Sequence, residues 1–131
     1  MSIIRAVNDT PITAIGTSFA TGKRFTVDMG HFPSAGPYRG YISLITAQVS
    51  SISSVGTITM RVCRDSGGDE CIVTDTDATI ATGITTAADG TAVWALNAYV
   101  GLASADDFYV FLKGDAGTFT CDFLEMIWST K

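Results

Sequence analysis

The chain has 131 residues, 47% of them hydrophobic and 16% charged, with a formal net charge of -5. That length sets one domain with a core of its own, and the charged fraction falls below the roughly 25% of an average globular domain. The basic residues Arg5, Lys23, Arg24, Arg39, Arg61, Arg64, Lys113 and Lys131 are scattered, which argues against a nucleic-acid partner. No stretch approaches the roughly 20 apolar residues of a membrane span, so no membrane partner is expected.

The N-terminal MSIIRAVNDTP has too short an apolar run for a signal peptide, and synthesis in the cytoplasm is the expectation. The low charge suits either a Thr/Ser-rich sandwich with a neutral surface or a subunit whose surface is largely covered by neighbours.

Apolar residues nowhere recur at helical spacing over a helix's length, whereas Thr, Val, Ile and aromatics dominate between 13 glycines. An all-β chain follows. Residues 1–11 read as an N-terminal arm carrying Ile3, Ile4, Ala6 and Val7, and residues 12–131 as a single β-sandwich domain. Pro11 to Ile15 is a short strand. Lys23 to Met29 is another, and Gly30 to Gly40 is a Gly/Pro loop. Tyr41 to Ser50 is a long strand, with Tyr41, Ile45 and Val49 on one side and Ile42 and Leu44 on the other. Thr57 to Arg64 alternates cleanly, with Ile58, Met60 and Val62 inward.

Cys71 to Thr74, Ala78 to Thr82 and Thr91 to Asn97 follow, each bounded by turn residues. Phe108, Val110 and Leu112 alternate with Tyr109, Phe111 and Lys113 up to the turn Gly114-Asp115-Ala116-Gly117. Beyond it Phe119, Cys121 and Phe123 share a face, and the phase slips at Phe123-Leu124. Two alternating runs about a Gly-rich turn predict a closing hairpin, and the slip predicts a bulge or a change of partner sheet. The whole reads as an antiparallel two-sheet β-sandwich of jelly-roll type, with Ile58, Met60, Val62, Val110, Leu112, Phe119 and Phe123 in its core.

No catalytic set emerges, so no enzyme is expected. His31 is the only histidine and has no visible triad partners; a loop or subunit-contact role is its simpler assignment. Cys63, Cys71 and Cys121 match no zinc spacing. Placing Arg64 opposite Glu70 and Asp65 opposite Asp69 brings Cys63 directly across from Cys71. A bridge is then open to them at a closely spaced pair; in a reducing compartment they stay thiols. Cys121, between Phe119 and Phe123, reads as a small core hydrophobe.

Asp65, Asp69 and Glu70 are the candidate calcium ligands, but turn chemistry explains them equally, and neither a metal nor a cofactor is expected. Tyr38, Tyr41, Trp94, Tyr99, Tyr109 and Trp128 could form a sugar-stacking platform if several shared one exposed face, though Trp94 and Trp128 read as core.

The stretches TITMRVCRDSGGDECIV, DTDATIATG, TAVWALNAYV and DDFYVFLKGDAGTFTCDFLEMIW span just over half the chain. In their Thr-rich strands, acidic turns and aromatic close they resemble small jelly-roll virion proteins of tailed bacteriophages, the decoration or cement type. The resemblance implies a non-enzymatic virion protein that binds a major capsid protein in the outer lattice as a homo-oligomer, a trimer by analogy. Carbohydrate-binding modules and receptor-binding heads are similar in architecture, so a glycan- or host-surface-binding module is the alternative. Low charge and the arm's unburied aliphatics place function in assembly. The expected interface residues are Ile3, Ile4 and Val7 of the arm with His31, Phe32 and Tyr38 of the following loop.

Overall fold

The computed structural model describes residues 3–27, 38–82, 89–102 and 107–130. Its strands are β1 (Ile3–Asn8), β2 (Ile12–Ile15), β3 (Arg24–Val27), β4 (Tyr38–Ser53), β5 (Thr57–Cys63), β6 (Cys71–Thr79), β7 (Ala81–Thr82), β8 (Gly90–Leu102), β9 (Phe108–Gly114) and β10 (Thr118–Thr130). One 3-10 turn, Thr21–Lys23, precedes β3, and no α-helix occurs among the described residues.

The strands form two antiparallel sheets. Sheet A runs β1-β10-β4-β8-β7, with β2 also paired to β10; sheet B runs β3-β9-β5-β6. The protein is an antiparallel β-sandwich, and its core lies between the sheets. Ile58, Met60 and Val62 project inward from β5, Val110 and Leu112 from β9, and Phe119, Leu124, Met126 and Trp128 from β10. Each large apolar side chain buried there stabilises the fold by about 1.5–3 kcal/mol. Trp94 and Trp128 are both core residues, and Cys121 is buried in the same core.

The expected closing hairpin is not one. β9 pairs with β3 and β5 in sheet B, while β10 pairs with β1, β2 and β4 in sheet A. The turn between them crosses from one sheet to the other. Its backbone groups are spent elsewhere, Gly114 N–H donating to Gly16 O and Asp115 N–H to Thr57 O. Alternation identifies the buried face of a strand but not the strand on its edge. Gly117 takes a left-handed φ of 61° at the crossing, and a Cβ there would collide with the carbonyl of Ser53.

The phase slip in β10 is real. The pairing with β4 skips between Cys121↔Val49 and Phe123↔Gln48, so Asp122 is the extra residue of a bulge. Burial consequently passes from Phe119 and Cys121 to Leu124, Met126 and Trp128. Phe123, expected in the core, is only half-buried for this reason.

A second irregularity, at Ser43, overturns the faces assigned to β4. Register shifts flank it on both sides, toward β8 and toward β10. Ile42 therefore shares the inner face with Ile45 and Val49, while Tyr41 does not. β4 is also longer than expected, and at its start Gly40 opposes Thr130. A Cβ on Gly40 would collide with the Ser129 carbonyl and the Trp128 ring.

The N-terminal stretch is built into the sandwich. β1 pairs with β10 from Ile3↔Ser129 to Asn8↔Leu124, with Ala6 buried and Ile3 and Val7 turned out. Asn8 ties this edge to sheet B by donating from Nδ2 to Thr26 O at 3.1 Å.

Candidate functional site

The outer face of sheet A is set by the strand registers. One row across β1, β10, β4 and β8 holds Ile3, Ser129, Tyr41 and Tyr99. The next holds Arg5, Ile127, Leu44 and Ala95, and the third Val7, Glu125, Thr46 and Val93. Phe123, Gln48 and Thr91 continue the face, Thr91 Oγ1 donating to Gln48 Oε1 at 3.1 Å.

Among the described residues, the large hydrophobics that are exposed are Ile3 (67%), Val7 (44%), Val93 (49%) and Tyr99 (55%). All four stand on this one face. Tyr41 and Tyr99 meet edge to face, with ring centroids 5.3 Å apart. The only charged residues in the three rows are Arg5 and Glu125, and they pair with each other, Nε to Oε2 at 2.5 Å. The rows are therefore apolar or neutral overall, the character of an interface core.

The outer face of sheet B is of the opposite kind. Phe19, in the segment between β2 and β3, lies over it against Phe111, ring centroids 6.5 Å apart and nearly perpendicular. The Arg61 guanidinium sits 4.2 Å and the Lys113 ammonium 4.8 Å from the Phe19 ring centre. Phe111 is thereby buried although it points away from the core. Arg24 stacks on Tyr109, and Arg61 Nη2 and Nε both donate to Asp75 Oδ1, at 2.9 and 3.0 Å. An open cleft of about 460 Å³ beside them is lined by Arg61, Gly68, Asp69, Cys71, Thr74 and Asp75.

Cys63 and Cys71 stand opposite each other in the register read from the sequence, with Arg64 N–H donating to Glu70 O. They form a disulfide, so neither remains a thiol. Of the calcium candidates, Asp65 is committed to the turn. Its carboxylate accepts the amides of Asp69 at 3.0 Å and Glu70 at 2.7 Å, and these two bonds hold its pKa below the ordinary carboxylate value. Among the described residues no three His, Cys, Asp or Glu side chains come together as a metal site.

Asp115 has the same role at the cross-sheet turn. The amides of Gly56, at 2.9 Å, and of Thr57 lower its pKa. Burial pushes the Cys121 thiol up to about 12.

Of the expected interface residues, Ile3 and Val7 are on the sheet A face. Ile4 lies in β1 opposite Trp128, and Tyr38 in β4 opposite Leu102. His31 and Phe32 fall outside the described residues. The aromatic candidates do not form one platform: Tyr41 and Tyr99 share sheet A, Tyr109 is on sheet B, and Trp94 and Trp128 are core. Sequence reasoning missed Val93 and Phe19. The TAVWALN alternation puts Val93 opposite in phase to Trp94, and that was the available signal for Val93; a lone aromatic in GTSFATG gives none for Phe19.

No protein-family model matches the chain, and no curated protein sequence does. Solved structures do. A carbohydrate-binding module from the glycoside hydrolase family 9 protein Cel9A of Ruminococcus flavefaciens FD-1 aligns with TM-score 0.54 and 12% identity, over 95% of this chain and 98% of that one. The C-terminal CBM6 of LamC from Zobellia galactanivorans aligns at 0.41 and 11%, over 99% of this chain and 100% of that one. The VP2 subviral particle protein of infectious bursal disease virus aligns at 0.39 and 10%, over 98% of this chain and 32% of that one. At 12% identity the likeness to the Cel9A module is one of fold alone, a β-sandwich.

Proposed function

We propose that the chain is a non-enzymatic structural protein of a virion, a decoration or cement protein that attaches to the outer capsid lattice as a homo-oligomer. The observation that carries this is the outer face of sheet A, where every exposed large hydrophobic of the described residues gathers around a single internally neutralised ion pair. Such a face suits contact with protein. The phage-like Thr-rich strands and acidic turns supply the virion setting, and symmetric copies multiply weak lattice contacts.

The test is co-sedimentation with capsid shells assembled without the protein. The proposal expects saturable binding at a fixed ratio to the capsid subunit. Protein that stays in the supernatant at every concentration contradicts it.

A second reading, a glycan-binding module, is favoured by the sheet B cleft. There Arg61, Asp69, Thr74 and Asp75 offer donors and acceptors of the type that hydroxyl groups use. Glycan-array binding abolished by Arg61→Ala, with no capsid binding, would select it.

A further inference from the structure

We infer that the outer face of sheet A is covered by a second copy of this chain, two copies packing sheet to sheet. The inference rests on the reading of this face as the assembly surface and names its occupant.

Size is the first argument. Strands lie about 4.8 Å apart and rise about 3.3 Å per residue. The named rows take in residues 3–7 of β1, 123–129 of β10, 41–48 of β4 and 91–99 of β8, and so cover on the order of 450 Å². Apolar patches of about 300–600 Å² on a single chain are the size that marks interaction sites.

Charge is the second. The chain carries -5, so two copies repel unless they meet through a neutral surface. The three rows on sheet A have no net charge, because Arg5 and Glu125 cancel. Sheet B instead exposes Asp75 and Asp77, with Arg61 beside them.

Shape is the third. Small side chains at Ser129, Thr46 and Ala95 leave gaps among the large ones at Ile3, Tyr41, Val93 and Tyr99, and opposed sheets about 10 Å apart interdigitate through such gaps. A twofold contact uses the same patch on both copies and closes at two. A trimeric ring needs two different patches on each copy, and only one such apolar patch exists among the described residues.

Light scattering on the intact protein reads the mass directly. The expected mass is twice the 13.8 kDa chain, falling to that of one chain in Val93→Lys and in Tyr99→Lys. Both residues are exposed in the single chain, so both variants should keep the wild-type circular dichroism, and either one suffices if the other misfolds. Asp77→Lys, on sheet B, should leave the mass doubled. A monomeric or trimeric wild type overturns the inference, as does a dimer that survives both sheet A variants. A monomer that still co-sediments with capsids removes the inference and leaves the functional reading standing; a monomer that does not co-sediment removes both.

Discussion

Arg5 on β1 and Glu125 on β10 form an ion pair that is diagonal to the strand register, since Arg5 stands opposite Ile127 and Glu125 opposite Val7. The pair thus neutralises two adjacent rows of the sheet A face at once. Glu125→Ala leaves Arg5 without its partner on a face that closes on an apolar surface. An exposed pair contributes under about 1 kcal/mol to folding, so thermal stability should barely change. Self-association should weaken, and more at low salt than at high salt, because screening relieves the repulsion between the two copies' arginines. Sedimentation equilibrium across salt concentrations measures both effects.

The disulfide gives a thiol count. Native protein should show no reactive thiol, because Cys63 and Cys71 are bridged and Cys121 is buried with its pKa raised to about 12. Denatured protein should show one thiol, and denatured, reduced protein three. Closing so short a loop stabilises by about 2–3 kcal/mol, so the Cys63→Ser/Cys71→Ser variant should lose about that much unfolding free energy and melt earlier. Three thiols in denatured, unreduced protein would show that the pair stays open.

Gly40 lies where β4 passes the Trp128 ring and the Ser129 carbonyl. Gly40→Ala requires β4 and β10 to move apart. A cost of about 1–3 kcal/mol is expected, as for overpacked cores, and chemical denaturation would record it. An unchanged midpoint would mean that the strands are not this close.

Asp65 and Asp115 both have folded pKa values below their unfolded ones, through amide hydrogen bonds to Asp69 and Glu70 and to Gly56 and Thr57 respectively. Their contributions are therefore fully present above the unfolded carboxylate pKa and are lost as pH falls through the lowered folded values. Melting temperature should drop on the acid side of pH 4 and be flat above it. Asp65→Asn and Asp115→Asn should each lower stability at neutral pH and flatten that acid-side decline. A decline with the wild-type slope in the double variant would contradict the assignment.

Much of this was legible in the residues, and the exceptions have physical causes. Ile58, Met60 and Val62 announced their face because β5 alternates without interruption through that stretch. The Cys63/Cys71 register followed from counting DSGGDE as a turn, a local matter. Pairing across the sandwich is not local: β9 and β10 look like a hairpin because both alternate, and only their neighbours decide that they part. The bulge at Asp122 showed as a phase slip, whereas the irregularity at Ser43 left no mark in the polarity pattern. The candidate face was half visible. Ile3 and Val7 stood out in a short aliphatic arm, but Val93 and Tyr99 join them only through the order β1-β10-β4-β8, which a sequence does not print.

The most direct measurement is hydroxyl-radical footprinting of Tyr99 as the protein is diluted. Tyr99 is 55% exposed on the single chain and ends the first row of the surface assigned to a second copy. At high concentration its modification should be strongly suppressed, rising on dilution together with that of Val93 while Tyr109 on sheet B keeps a constant rate. Modification of Tyr99 that is fast at every concentration would contradict a covered sheet A face.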